Sequence, residues 1–194
     1  RNCDWSLDVC SSDLENSLPY HDMIADYLEK NPDVKMAFQP GTFQMKLGAK
    51  RLDRLYKLSE IFFCNKEEAQ RILENKEQDI KKLLEGMHGL GPNIVVITDG
   101  PDGAYVSDRK EVWHGPMYPD PAPPVDRTGA GDSFASTFTS ALALGKGIDE
   151  ALMWGPVNSM SVVQHVGAQA GLLKREKLED YLRNAPADYR PKKI

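Results

Sequence analysis

The sequence predicts an α/β protein, a mostly parallel sheet covered by helices, on two observations. From Glu15 onward, short β-rich apolar runs alternate with longer stretches of helical apolar spacing, the order expected when helices connect parallel strands. The most apolar run, Ile94 to Ile97, sits inside a short segment bounded by turn residues, as a buried central strand should.

The N-terminal residues 1–14, R-N-C-D-W-S-L-D-V-C-S-S-D-L, show no periodicity that connects them with the rest of the chain. They resemble the peptide produced when a sequencing adapter is read as coding sequence, so they are set apart as a non-native scar or disordered tail, with residues 15–194 as the native part. Residues 20–30 read as a helix and 34–38 as a strand ending at Gln39-Pro40-Gly41. Residues 46–57 read as one helix, with Leu47, Leu52 and Leu55 near one face. A strand over 60–64 runs into Asn65, and helices come next over 66–74 and 80–88. Gly89, Gly91 and Pro92 stop the second helix before the strand 93–98. Segments 103–107 and 111–118 form a hairpin around Asp108. Between 119 and 124 four of six residues are proline, which excludes a helix or central strand there. This connector leads into V-D-R-T-G-A-G-D-S-F, after which 133–144, 148–165 and 174–183 read as three helices.

Length and composition narrow the function. At about 150 residues per domain, 194 residues make one domain or slightly more. The net charge of −5, without a basic block, gives no support for a nucleic-acid partner or an anionic membrane surface. No apolar run approaches the length needed to span a bilayer. Cys3, Cys10 and Cys64 are an odd number without metal-ligand spacing, so a reduced cytoplasmic protein is expected.

The stretch Asp126 to Asp132 carries the chemistry. Its glycines open an apolar helix, whose first amides lack intrahelical acceptors and sit at the positive end of the dipole. Gly129, Ala130 and Gly131 have little or no side chain, which lets anionic oxygens approach those amides. Asp132, beside them, is suited to take a proton from a hydroxyl attacking a phosphoryl group held there. On these four residues alone, a flexible helix start with an acid favouring the dipole explains the pattern equally well.

The wider pattern resembles the ribokinase-like sugar kinases, the PfkB carbohydrate kinase family. V-D-R-T-G-A-G-D-S-F is similar to that family's C-terminal signature. Asn65-Lys66-Glu67-Glu68 is similar to its N-x-x-E motif, and Thr98-Asp99-Gly100-Pro101-Asp102-Gly103-Ala104 to its T-x-G-x-x-G-A turn. Trp154-Gly155-Pro156-Val157-Asn158 and Gly167-Ala168-Gln169 resemble its last nucleotide-side segments. The resemblance implies a three-layer α/β/α sandwich and ATP-dependent phosphoryl transfer to a hydroxyl of a sugar or nucleoside.

Carried over residue by residue, the resemblance makes Asp132 the general base and the amides of Gly129, Ala130 and Gly131 the anion hole. Asn65 and Glu68 would organise Mg2+ around the nucleotide phosphates, although both are also good helix-capping choices. Thr98, Gly100 and Gly103 would form the turn against the nucleotide, and Asn158, Gly167 and Ala168 would border the adenine pocket, where helix packing is an equal alternative. Asp126 and Thr128 resemble positions that hold a monovalent cation, K+, in several relatives.

The pattern departs from the family at Arg127, where a small or hydroxylated residue is more frequent, and at Thr137, where Gly or Ala is expected. Members run to about 300 residues, with a β-lid and most sugar contacts in the N-terminal portion. The sequence is therefore expected to be the nucleotide and catalytic half, lacking that portion and the lid through which relatives often form homodimers. A non-catalytic nucleotide-binding remnant is the alternative, as is a nucleoside kinase of the same fold. Other enzyme classes have less support: Gly145-Lys146 lacks the glycine and hydroxyl residue of a Walker motif, with Ser140 and Gly147 in their places, and no G-x-G-x-x-G occurs. His21, His88, His114 and His165 are scattered and read mostly as surface or boundary residues. Cys64 reads as a small buried hydrophobe.

Overall fold

The computed structural model describes residues 4–9 and 18–194. The chain divides into two compact units, Arg1–Ile97 with Ser107–Val112, and Thr98–Val106 with Trp113–Ile194.

The first unit is a layer of strands with helices. Strands β1 (Asp4–Val9), β2 (Val34–Gln39) and β3 (Ser59–Asn65) lie side by side in parallel, and β4 (Ile94–Thr98) neighbours β3. Parallel strands are buried on both faces and need apolar residues throughout. Accordingly Ala37, Phe38, Ile61, Phe62, Val95, Val96 and Ile97 are fully buried. Helices α1 (Leu18–Lys30), α2 (Thr42–Leu47), α3 (Asp53–Leu58), α4 (Lys66–Ile72) and α5 (Ile80–Gly89) make the connections. Tyr56 of α3 stacks on Phe62 at 5.0 Å between ring centres, and Phe38 meets both rings edge-on at 5.9 and 5.7 Å. Cys64 is buried, as expected, and burial pushes its thiol pKa up.

Three features of this unit differ from the sequence reading. The helix expected over 46–57 is broken in two, because Gly48 takes φ +79° and ψ 156°, a backbone conformation open essentially to glycine alone, which ends α2. The stretch set apart at the N-terminus carries strand β1, paired parallel with β2 from Asp4 to Val9. The cue was available, since Trp5, Leu7 and Val9 alternate with polar residues; the rest of that stretch, 1–3 and 10–14, lies outside the described residues. Two of the four histidines are buried rather than superficial. His21 is 3% exposed, and His88 is 7% exposed, with Nδ1 3.0 Å from the Pro92 carbonyl and Nε2 3.0 Å from Ser107 Oγ. Burial holds the His88 imidazole below its ordinary pKa.

The second unit opens with a 3-10 turn, Gly100–Asp102, then β5 (Ala104–Ser107) and its neighbour β6 (Val112–Gly115). β6 stops at Gly115, short of the expected 118, where Pro116 ends the run. A short strand not foreseen, β7 (Lys192–Lys193), pairs antiparallel with it. Helices α6 (Ala130–Ala143), α7 (Ile148–Val162) and α8 (Arg175–Arg183) complete the unit. α7 is the inner helix, buried from Ala151 through Val162. It packs on α6 at Gly155, where an added Cβ would come within 2.8 Å of the Phe134 ring. Tyr118 and Tyr189 meet edge-on at 4.9 Å, and Tyr189 Oη donates to the Met153 carbonyl at 2.6 Å, fastening the C-terminal segment to α7. No helix among the described residues is long and apolar enough to cross a membrane.

Candidate active site

The second unit builds its site around the start of α6. The chain reaches it through backbone bonds to the end of α7, where the Val125 and Asp126 amides donate to the Val163 carbonyl at 2.8 and 3.3 Å. Asp126 then ties two loops together: Oδ1 accepts the Thr128 amide at 2.9 Å and Oδ2 accepts the Gly167 amide at 2.9 Å. Those two donors hold its carboxyl below the usual range, because they favour the ionised form. Gly129 is the N-cap residue at φ +81°, and an added Cβ would lie 2.5 Å from the Ala168 Cβ. Only glycine fits there, for both conformation and space.

The first i to i−4 bond of α6 runs from the Ser133 amide to the Gly129 carbonyl at 2.9 Å, and no side chain caps the helix. The Gly131 amide precedes that bond, so helix geometry leaves it for a partner outside the helix. Ala130 differs: its amide closes a turn on the Arg127 carbonyl at 3.3 Å, and its carbonyl accepts Ser159 Oγ of α7 at 2.7 Å. Asp132 stands in the first turn.

A cavity of about 520 Å3 adjoins this turn. Thr98, Gly100 and Gly103 line it together with Ala130 and Gly131. Residues from two sequence motifs about thirty positions apart therefore share one cavity. Tyr118, Pro124 and Phe134 make much of it apolar, and Ser159 and Arg127 border it as well; such a mixture of apolar lining and a few polar groups suits a small-molecule site. Gly103 is at φ +88°, with the Gly115 carbonyl oxygen 2.2 Å from where a Cβ would stand, so β6 itself demands glycine there.

The last two motifs divide in role. Gly167 and Ala168 sit at the start of α6, through Asp126 and Gly129. Asn158 is buried between helices: Nδ2 donates to Thr137 Oγ1 at 2.7 Å, and Oδ1 accepts the Leu173 amide at 3.0 Å. That is the packing alternative for this residue, and it explains the departure at Thr137, whose hydroxyl is Asn158's acceptor. Ser159, one residue on, is the α7 side chain that reaches the cavity, and only the three-dimensional direction of the helix reveals it.

In the first unit, Asn65 and Glu68 form a reciprocal cap on α4. Asn65 Oδ1 accepts the Glu68 amide at 2.9 Å, and Glu68 Oε2 accepts the Asn65 amide at 2.8 Å. No group of three or more His, Cys, Asp or Glu side chains suited to a metal ion occurs among the described residues.

The chain is 29% identical over 177 residues to the ribokinase of Haemophilus influenzae, an alignment covering 89% of this chain and 55% of that protein. Among solved structures, a putative ribokinase II from E. coli in apo form superposes with a TM-score of 0.80, at 19% identity over 95% of this chain and 60% of that one. A putative ribokinase II from E. coli in complex with ATP and Mg2+ gives 0.75, at 18% identity, 88% and 55%. The fold is thus the ribokinase-like α/β sandwich, and the chain spans about half the length of the relatives it matches. The family model for pfkB family carbohydrate kinases matches residues 28–175, and the chain belongs to that family.

Proposed function

We propose that the protein is a cytoplasmic kinase that transfers the terminal phosphoryl group of ATP to a hydroxyl of a sugar or nucleoside. The observation that carries this reading is the uncapped, glycine-lined start of α6 on the wall of a cavity shared with the Thr98–Gly103 turn. Phosphoryl transfer demands positioning and charge stabilisation more than covalent chemistry by the protein. The Gly131 amide supplies a donor for the phosphoryl oxygens, and the small residues Gly129 and Ala130 keep side-chain bulk away from it. Asp132 takes the proton from the acceptor hydroxyl. Asp126 fixes the approach to the turn by holding Thr128 and Gly167 together.

Magnesium fits this chemistry without a cage of protein ligands, since it is commonly held by phosphates, waters and one or two carboxylates. When bound, it offsets charge along the phosphates. Glu68 and Asn65 are the residues assigned to its waters, and Asp126 and Thr128 those for a potassium ion beside the anion hole.

Asp132→Asn in the full-length protein tests the reading. A lost general base lowers turnover by about 10²- to 10⁴-fold, measured as ADP release with a panel of sugars and nucleosides, while ATP affinity stays close to that of the unaltered protein. Turnover equal to the unaltered protein would overturn the assignment.

A further inference from the structure

The cavity beside α6 contains one cationic side chain among the residues that line it, Arg127, and one anionic, Asp120. Arg127 is also where the sequence departs from its family's small or hydroxylated residue. Its backbone is fixed, because its carbonyl accepts the Ala130 amide at 3.3 Å and the Asp126 carboxylate holds the Thr128 amide beside it. Its side chain is exposed, and no hydrogen bond or ion pair among the described residues engages it. A guanidinium anchored at its root, bordering the same cavity as Gly131 and with no acidic partner among the described residues, suits an anionic ligand. Arginine pairs with phosphate in a planar two-point contact that lysine cannot reproduce.

We propose that Arg127 binds the terminal phosphates of the nucleotide, adding a side-chain clamp to the backbone donor at the start of α6. This rests on the nucleotide-site reading and adds a residue to it. The clamp acts on the phosphates farthest from the nucleoside, so its contribution depends on how many phosphates the ligand carries. A general role in shaping the turn would weaken every nucleotide alike.

The test is calorimetric titration of the 194-residue chain with ATP, ADP and AMP at low salt, for the unaltered protein, R127Q and R127K. R127Q is expected to weaken ATP about tenfold, as befits one lost charge-assisted contact, and AMP by less than about twofold, a loss too small for a shared phosphate contact. R127K is expected to recover only part of the ATP affinity. Because the side chain has no partner among the described residues, R127Q should melt at the same temperature as the unaltered chain. ATP binding unchanged in R127Q, or ATP and AMP weakened by the same factor, overturns the clamp and leaves the nucleotide site standing. An unaltered chain that binds none of the three overturns the nucleotide site and the clamp with it.

Discussion

Two helix starts in this molecule are expected from the sequence to serve one reaction, and they are built in opposite ways. α4 begins at Asn65, whose side chain and that of Glu68 reach back to each other's amides at 2.8 and 2.9 Å. α6 begins at Gly129, which has no side chain to offer, and its first turn holds Ala130 and Gly131. Stability favours the first design, because a good N-cap contributes about 1 kcal/mol. At α6 the side-chain cap is given up, at a cost of only a few tenths of a kcal/mol for glycine, in a turn that four separate contacts hold in place: Asp126 to Thr128, Asp126 to Gly167, Gly129 against Ala168, and Ser159 to the Ala130 carbonyl. A helix end that is rigidly positioned yet left uncapped beside a cavity is suited to a ligand; one closed by its own side chains is suited to hold the fold.

The largest effect that would break this contrast is at Gly129. Gly129→Ala adds a left-handed strain to a 2.5 Å clash with Ala168 and should cost roughly 3 kcal/mol in urea unfolding. Gly145→Ala is the internal reference: φ is nearly the same, +83°, but nothing lies within 4 Å of the new Cβ, so its cost should stay near about 1 kcal/mol. Equal costs would mean that the packing against Ala168 does not constrain the turn. A smaller effect sharpens the other side. Asn65→Ala should lose about 1 kcal/mol of stability by the same measurement while leaving magnesium-free ATP binding intact, and a loss of that binding would contradict the division of labour between the two helix starts.

How much of this is legible in the sequence depends on how far apart the interacting residues lie. The alternation of strands and helices can be read from local periodicity, as can the glycine start of α6 and the capping pattern Asn65-Lys66-Glu67-Glu68. The break at Gly48 escapes a sequence reading because a single glycine within a helical apolar pattern is tolerated until φ turns positive, and the sequence does not report φ. Strand β1 escapes it because an unusual composition outweighs the alternation of Trp5, Leu7 and Val9. In the site, motif order brings Thr98, Gly100 and Gly103 to the same cavity as Ala130 and Gly131. The sequence does not show that Asp126 reaches the Gly167 amide 41 residues away, nor that Asn158 spends its side chain on Thr137 and the Leu173 amide. Those pairings are set by how α6, α7 and the loop after α7 pack, and no local pattern encodes them.

The most direct measurement compares the two helix starts in one experiment, by amide NMR of the chain titrated with ATP in magnesium-free buffer. If the uncapped turn is the phosphate site, the Gly131 amide resonance shifts most and the Asn65 and Glu68 amides, already bonded within their cap, shift least. Large shifts at Asn65 and Glu68 with none at Gly131 would contradict it.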